Sequence, residues 1–422
     1  GTAVSHTSMT QSSTHYLMDG YSAMMQKGKS FGNKKTQEIT TTFEATFKLH
    51  KNFNVKADFS YTQGYLHNDY RSVNVQYSQY PGEVMTEPEG SFPNKYKEVV
   101  WDQNYYVADV YGTYNKTFSE KHNLTLIAGY NYEAKYYRDL TAANDGLLSE
   151  DLSDFNLAKG TTNFTLNGGR NEYAIMGWFY RAAYDYKGKY LAEVSGRYDG
   201  SSKFPTNSKW GFFPSAALRW NIANEKFLQK AKWIDELALR ASLGRTGNDA
   251  ISAYRSLAAV GNSTSGYLMG GTQQLAVYPS RLASPDLTWE TSDQYTLGAD
   301  ISLFDGRLNV TADAYLIKTR DLLLTVQVAS QTGYTNYFAN AGRTTNKGWE
   351  LTVESRNIVR PKFQWSTTLT LSRNRQMVDD IASEDFVTAY SSPSSSGTTY
   401  MMYGYKKGYT LNALWGFRYG GV

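Results

Sequence analysis

The chain contains no cysteine. That absence removes disulfide staples, thiolate nucleophiles and Cys-ligated metals, and it leaves the compartment open. No run approaches the ~20 apolar residues of a membrane-spanning helix, and the mean hydropathy is −0.53. A helical membrane protein is therefore excluded, whereas a membrane β-barrel, in which only alternate residues face lipid, is not. Excess charge of one sign is also missing. Over 422 residues, 43 Lys and Arg stand against 39 Asp and Glu without blocks, so nothing points to a nucleic-acid groove. The five histidines (His6, His15, His50, His67 and His122) show no metal-ligand spacing and read as solvated loop or turn residues. There is no nucleophile elbow, zinc-protease motif, P-loop or dinucleotide fingerprint. Asp379 and Asp380 would point to opposite faces of a strand. As a loop pair, joined by Glu384 and Asp385, they could offer oxygen ligands to calcium, but we read them as a solvated acidic cluster. No enzyme, cofactor or metal is indicated.

What is present is a rhythm. Strand-like segments occur at 39–49, 52–64, 101–116, 122–137, 171–186, 189–199, 210–220, 236–246, 290–303, 307–319, 346–357 and 362–373. Connections near His50, Ser119, Lys187, Asp305 and Val359 are tight turns. Those at 65–100, 138–170, 247–289, 320–345 and 374–410 are long and rich in Gly, Ser, Asn, Thr and Tyr. An antiparallel meander with short turns at one end and large loops at the other has the polarity of an outer-membrane barrel, whose short turns face the periplasm. Aromatic residues make up 15% of the chain, with 35 Tyr, 19 Phe and 9 Trp. Tyr, apolar in body and polar at its tip, suits both interfacial girdles and sugar-stacking surfaces.

The alternation within segments is strict. Phe53, Val55, Ala57, Phe59 and Tyr61 oppose Asn54, Lys56, Asp58 and Ser60. Tyr295, Leu297, Ala299, Ile301 and Leu303 oppose Thr296, Gly298, Asp300 and Ser302. Residues 308–314 and 363–372 repeat the pattern, which is that of half-buried strands. An antiparallel sandwich would alternate too, but soluble strands run ~5–6 residues, and these reach the ~9–11 of a tilted membrane crossing. No fixed repeat supports a propeller. Lys56, Asp58, Asp300 and Asp313 all fall on the polar, lumen-type face. The reading is all-β: an antiparallel transmembrane β-barrel over 39–422, preceded by a loop or extension at 1–38. Pro214 lacks a ladder donor and belongs at an edge or rim. Residues 222–235 read as a short amphipathic helical connector, the one long link on the short-turn side. The chain opens at Gly1-Thr2-Ala3-Val4 with no leader pattern and stops just after a strand-like Leu414–Tyr419. An open sheet edge is untenable in hydrocarbon, so the sequence reads as part of a longer barrel.

From about residue 170 a series of blocks appears in order: Arg197-Tyr198-Asp199-Gly200-Ser201-Ser202-Lys203-Phe204, Trp210-Gly211-Phe212-Phe213-Pro214-Ser215 and Leu239–Asn248 with Gly244-Arg245-Thr246-Gly247-Asn248. They continue with Ser284-Pro285-Asp286-Leu287-Thr288-Trp289-Glu290, Asp313–Leu323, Asn340–Glu350 and Gly408-Tyr409-Thr410-Leu411-Asn412 before Trp415-Gly416. With these blocks the chain resembles SusC-type (SusC/RagA) TonB-dependent transporters. Ser284 stands where Asn is usual, and residues 1–170 match only in strand pattern and loop rhythm. Structural roles are the preferred reading of the blocks: Gly200, Gly211, Gly244 and Gly247 for turns and close approach, Asp199 and Asn248 as turn formers, Trp210, Trp289 and Trp349 as girdle or rim anchors. The resemblance implies a 22-stranded barrel with an N-terminal plug, a SusD-like surface lipoprotein as lid, and energy delivered by TonB to a segment not in this sequence. It also implies that transporter–lipoprotein pairs can dimerise within outer-membrane lipids.

On that reading the function is uptake of oligosaccharides, with oligopeptides as an alternative substrate that the sequence leaves open. A non-transporting structural or adhesive barrel is the competing class. Loop aromatics Tyr267, Tyr278, Tyr334, Tyr337, Phe338 and Tyr390 are the candidate substrate contacts, since flat apolar faces beside amides suit such ligands. Packing of loop against loop or lid would use the same residues.

Overall fold

The computed structural model describes residues 10–12, 15–17, 30–73, 75–77, 85–87, 94–149, 151–160, 164–334, 336–381, 387–393, 399–411 and 413–415. All twelve expected segments are strands: β1 (Phe31–His50), β2 (Phe53–Ser72), β3 (Lys95–Phe118), β4 (His122–Asp145), β5 (Thr165–Tyr186), β6 (Tyr190–Ser201), β7 (Trp210–Asn221), β8 (Ile234–Asn248), β9 (Glu290–Leu303), β10 (Leu308–Arg320), β11 (Arg343–Arg360) and β12 (Phe363–Asp380). They form one 12-stranded sheet in which sheet order follows chain order. The ladders from β5 to β12 are antiparallel.

The strands exceed the expected segments mainly at the long-connection end. β1 begins at Phe31, inside the stretch expected to precede the sheet, and β3 and β4 run 24 residues each. The long connections carry strand pairs of their own. Ala259–Met269 pairs with Thr272–Arg281, Leu323–Gln327 with Asn336–Asn340, and Val387–Pro393 with Thr399–Tyr405. A protruding segment rich in Thr, Tyr and Val pairs its backbone groups most simply by folding back on itself.

The tight turns follow from local chemistry. Lys187 and Gly188 both adopt left-handed backbone (φ 57° and 63°), and the Lys189 N–H donates to Tyr186 O at 2.9 Å. Two successive positive φ values match the right-handed twist of the flanking strands. Ser119–Glu120 and Phe304–Asp305–Gly306 repeat the device. Residues 222–233 depart from expectation. Only Ile222–Asn224 is helical, as one 3-10 turn. The chain then proceeds by three-residue bonds from Leu228 N–H to Glu225 O, Ala231 N–H to Leu228 O and Ile234 N–H to Ala231 O. An amphipathic helix needs a surface to bury its apolar stripe, and Phe227 stays 69% exposed here. Pro214 sits in β7, between β6 and β8, but it is locally at an edge: the β7–β8 ladder starts at Ser215, and residues 210–214 pair only with β6.

Two compact units divide the chain: Gly1–Phe43, Ser60–Val107 and Ala134–Glu172 form one, and Glu44–Phe59, Ala108–Glu133 and Tyr173–Val422 the other. In the first, Tyr96, Leu147 and Ala158 form a small core with Phe155 and Leu157 against it. Its strand portions carry Tyr61 beside Tyr106 (centroids 5.0 Å), with the Tyr61 hydroxyl donating to Asn104 Oδ1 at 2.6 Å.

The second unit holds most of the sheet, and its two faces differ. Val194, Leu218, Leu239, Leu243, Leu297 and Leu369 are all exposed on one face. Two aromatic belts bound that face. At the short-turn end Tyr186, Tyr190 and Trp220 stack in sequence, centroids 6.4 Å apart. At the other, Tyr198 stacks on Trp210 at 5.1 Å, and Trp178 lies 5.7 Å from Trp210. Eight residues of β6 separate Tyr190 from Tyr198, about 26 Å of strand at ~3.3 Å per residue. A ~40° tilt projects this to about 20 Å, near the ~25 Å apolar band of an outer-membrane protein. The Glu225 carboxylate fastens the lower belt. It accepts from Lys189 Nζ (2.8 Å), the Tyr190 hydroxyl (2.5 Å) and Trp220 Nε1 (3.3 Å).

Two outcomes are expected. Leu297→Lys, on the apolar face, should lower stability in lipid by about 2–4 kcal/mol, whereas Thr296→Lys on the opposite face should cost far less; urea titration of the full-length protein in bilayers reads both. Glu225 is held at about 2, below its ordinary 4.5, chiefly by the Lys189 hydrogen bond and then by Tyr190. A depressed carboxyl contributes stability that is complete above its unfolded pKa and is lost as pH falls through the folded one. Acid unfolding of the wild type should therefore steepen between 4.5 and about 2, and Glu225→Gln should lack that component.

Candidate functional site

Side chains on the other face of β5–β10 build the site. The alternation brings charges from separate strands into one network. Arg219 of β7 donates to Asn221 Oδ1 and to Asp300 Oδ2 of β9, both at 2.7 Å, and pairs with Glu236 of β8. Arg240 of β8 takes Asp300 with both arms (2.8 and 3.0 Å) and reaches Asp313 of β10 at 3.2 Å. Register explains how. Arg240 pairs with Gly298, and Gly298 with Asp313, so the arginine must cross β9 at that glycine. A Cβ there would lie 2.3 Å from Asp313 Oδ1 and 2.8 Å from Arg240 Cζ. Lys56 likewise holds Glu44 at 2.7 Å and Asp58 at 3.4 Å. All four charges read onto the polar face from sequence are thus engaged there.

Two grooves lie on this face. The lower, about 430 Å³, is lined by Asn123, Arg181, Glu193, Arg219, Arg240 and Ser242. Its charged groups are paired with one another, as in Arg181–Glu193 at 2.7 Å, and Ala183, Leu191 and Ala217 lie among them. The upper, about 530 Å³, combines Phe179, Phe213 and Trp289 with Arg197, Asp199 and Ser195. Arg197 grips Asp199 bidentately (2.9 and 2.8 Å), and its guanidinium lies 5.6 Å from the Phe179 centroid. Flat apolar faces beside fixed donors and acceptors can bind an oligomeric, hydroxyl- or amide-rich ligand. Sequence reasoning missed these residues. The available signal was Phe179, an aromatic at a polar-face position two residues before Arg181.

Above the upper groove the sequence blocks converge on one hub. Phe204, Ile251, Leu287 and Trp289 are buried together, with Phe213, Leu323 and Phe338 against them. Trp289 Nε1 donates to Lys209 O at 2.8 Å, and the Ser208 hydroxyl to Leu287 O at 2.7 Å. Asn340 accepts from Thr288 N–H (2.7 Å) and donates to Thr288 O and Asp321 O (2.8 Å each). The Ser201 hydroxyl donates to Asp249, which also pairs with Lys203 at 3.3 Å. Gly211 and Gly247 lie against the Phe213 ring, where a Cβ would come within 2.4 and 2.1 Å of it. Neither has positive φ, so close approach rather than turning is their role. Asn248 caps a turn by accepting from Ala250 N–H at 2.9 Å. Asp199 does not form a turn but holds Arg197. Trp289, expected at the rim, is the hub's core.

The loop aromatics are distributed over three ribbons. Tyr278 is half-exposed over Gly261. Tyr337 pairs with Val326, and Phe338 packs on the hub with Arg255 above its ring at 4.9 Å. Tyr334 follows a 3-10 turn whose Thr332 hydroxyl accepts its N–H at 3.3 Å. Tyr267 and Tyr390 lie in strands, their side chains outside the described residues. Arg281 donates to Tyr254 O and Leu257 O, and burial pushes its guanidinium below its ordinary value, helped by Arg255. Asp379 and Asp380 end β12 rather than sitting in a loop. Asp379 accepts from Thr345 Oγ1 at 2.5 Å, and Asp380 is held by Arg343 at 2.8 Å and Lys407 at 3.4 Å. Glu384 and Asp385 lie outside the described residues, and no metal-binding cluster occurs among those described. His67 sits within β2 and His122 starts β4, its Nδ1 2.5 Å from the Tyr184 hydroxyl, so neither is a loop residue.

The model of the family described as TonB dependent receptor-like, beta-barrel matches residues 9–422. TonB-dependent receptor P3 of Formosa agariphila is 36% identical over 319 residues, covering 75% of this chain and 31% of that protein. TonB-dependent receptor SusC of Bacteroides thetaiotaomicron is 29% identical over 248 residues, covering 57% and 25%. The chain therefore spans less than a third of the length of these curated relatives. The solved RagAB peptide transporter superposes with a TM-score of 0.78 at 22% identity, over 94% of this chain and 41% of that one.

The hub predicts two opposite effects. Trp289→Ala should cost about 3–5 kcal/mol and should speed hydrogen exchange in 249–289 and 321–342, which the hub ties together. Ser284 is 5% exposed, and its hydroxyl has no hydrogen-bond partner among the described residues. Since an unsatisfied buried hydroxyl is itself unfavourable by ~1–3 kcal/mol, Ser284→Ala should leave stability unchanged or raise it.

Proposed function

The chain belongs to the TonB dependent receptor-like β-barrel family, and from that membership we propose that the whole protein is an active importer of oligosaccharides. It is an outer-membrane protein of SusC/RagA type, crossing with strands rather than helices. The observation that carries the import reading is the upper groove, where Phe179, Phe213 and Trp289 stand beside the Arg197–Asp199 pair on the polar face. Aromatic faces stack on sugar rings while fixed charges take the hydroxyls. Tyr267, Tyr278, Tyr334, Tyr337, Phe338 and Tyr390 of the ribbons are proposed as further contacts on the way in. A SusD-like lipoprotein lid and a TonB-driven plug would complete the machine, as in the family at large. Oligopeptide import by the same route is the second reading, because the RagAB peptide transporter shares this fold.

Uptake of a labelled oligosaccharide by cells carrying the full-length protein should stop on adding a proton-gradient uncoupler and on deleting the partner lipoprotein. Phe179→Ala should weaken ligand binding to the purified complex about two- to tenfold, the range of one aromatic stacking contact. Accumulation indifferent to the uncoupler would defeat energised import. Competition by oligopeptides and not by oligosaccharides would transfer the conclusion to peptides.

A further inference from the structure

At the opposite end of the sheet from the hub, the link from β7 to β8 has chemistry that import does not use. Within Glu225-Lys226-Phe227-Leu228-Gln229-Lys230-Ala231-Lys232-Trp233, the three lysines are exposed and no ion pair to any of them occurs among the described residues. The neighbouring acids are committed elsewhere. Glu225 serves Lys189, Tyr190 and Trp220, Asp235 Oδ2 accepts from Gly306 N–H at 3.0 Å, and Glu236 holds Arg219. The lysine charge is therefore free. Between the lysines stand exposed apolar groups: Phe227 is 69% exposed, and Trp233 (52%) stacks, among the described residues, on Phe304 alone (50%) at 5.9 Å.

Tyr190 and Trp220 belong to the aromatic belt of the apolar face, and both donate to Glu225, so the link leaves β7 on the lipid-facing side of the sheet. It is continuous with the surface that faces acyl chains. The five tight connections at this end carry Lys51, Lys121, Lys187, Lys189, Arg307 and Lys362 against only Glu120 and Asp305, while the long connections together carry more acids than bases. Free cations interleaved with exposed aromatic rings, level with an aromatic belt, suit an interface of anionic headgroups over acyl chains.

We propose that the 222–233 link binds anionic phospholipid of the periplasmic leaflet, Lys226, Lys230 and Lys232 taking headgroup phosphates while Phe227 and Trp233 enter the acyl boundary. The site anchors the short-turn end and sets its depth. It depends on the outer-membrane location and not on the substrate. Glu225 joins the link to the belt, so the charged cluster cannot swing away from the bilayer.

The test uses the full-length transporter in nanodiscs of phosphatidylethanolamine and phosphatidylglycerol. Native mass spectrometry compares the lipids that stay bound with the bulk ratio. The wild type should retain phosphatidylglycerol in excess, and the excess should shrink as salt screens the lysines. The triple variant K226Q/K230Q/K232Q should lose that excess. The triple Lys→Arg variant keeps the charge and should retain the excess, which separates recognition from misfolding. A wild type no richer in phosphatidylglycerol than the bulk, or a Lys→Gln variant as rich as the wild type, would overturn the proposal. Loss of a co-purifying protein with the lipid excess intact would overturn it too, by making the link a protein-docking site.

Discussion

Hydrocarbon offers no hydrogen bonds, so each backbone N–H and C=O of a membrane-crossing strand must find its partner in the next strand. The remaining features of the sheet follow from that. Ladders must be long and uninterrupted, so side chains alternate without slip, and an ionic group can occur only on the face turned from lipid. The crossing of Arg240 over Gly298 to Asp313 shows how far this is carried. Three adjacent strands give up one side chain, at Gly298, so that a guanidinium can satisfy carboxylates on two of its neighbours. Where the ladder stops, proline becomes tolerable, and Pro214 stands one residue beyond the last β7–β8 pair.

Beyond the apolar band water could satisfy the backbone, yet the connections keep pairing. They fold into two-stranded ribbons, and the roots of two of them, 259–281 and 323–340, meet in the hub. Trp289, Asn340 and Ser208 act there less as surface recognition groups than as fasteners between segments far apart in sequence. Thr288 and Asn340 exchange hydrogen bonds across 52 residues, and Trp289 and Lys209 across 80. Blocks that look unrelated along the chain therefore recur together, because each supplies one wall of the same small core.

The twelve strands and the polarity of their connections were legible because period-two alternation and tight-turn composition are local signals. Strand ends were less so. At the tight turns, positive-φ pairs such as Lys187–Gly188 stop a strand abruptly, and predicted and observed limits agree closely there. At the other end alternation loosens above the apolar band while pairing continues, and β1 and β4 run on by about eight residues beyond their expected limits. The 222–233 link misled for a different reason. Its Glu, Lys, Leu, Gln and Ala residues favour helix, but no protein surface among the described residues covers its apolar groups, and turns result. Of the site, the polar-face charges were readable from parity, whereas the grooves were not. Phe179, Phe213 and Trp289 come from three separate strands or strand ends, and nothing in their spacing announces a meeting.

The charge arrangement also bears on where selectivity can reside. Arg219 and Arg240 are shared among Asp300, Asp313 and Glu236, which leaves that cluster one carboxylate in excess, and Arg181 pairs with Glu193. Charges already engaged with one another leave few groups free to hold a ligand, so on the proposed import reading an oligomer would gain little from the lower groove. On the same reading discrimination would belong higher, where aromatic faces meet the Arg197–Asp199 pair. An importer of that kind would choose by contact at the upper groove and let go along a surface whose charges are already engaged with one another.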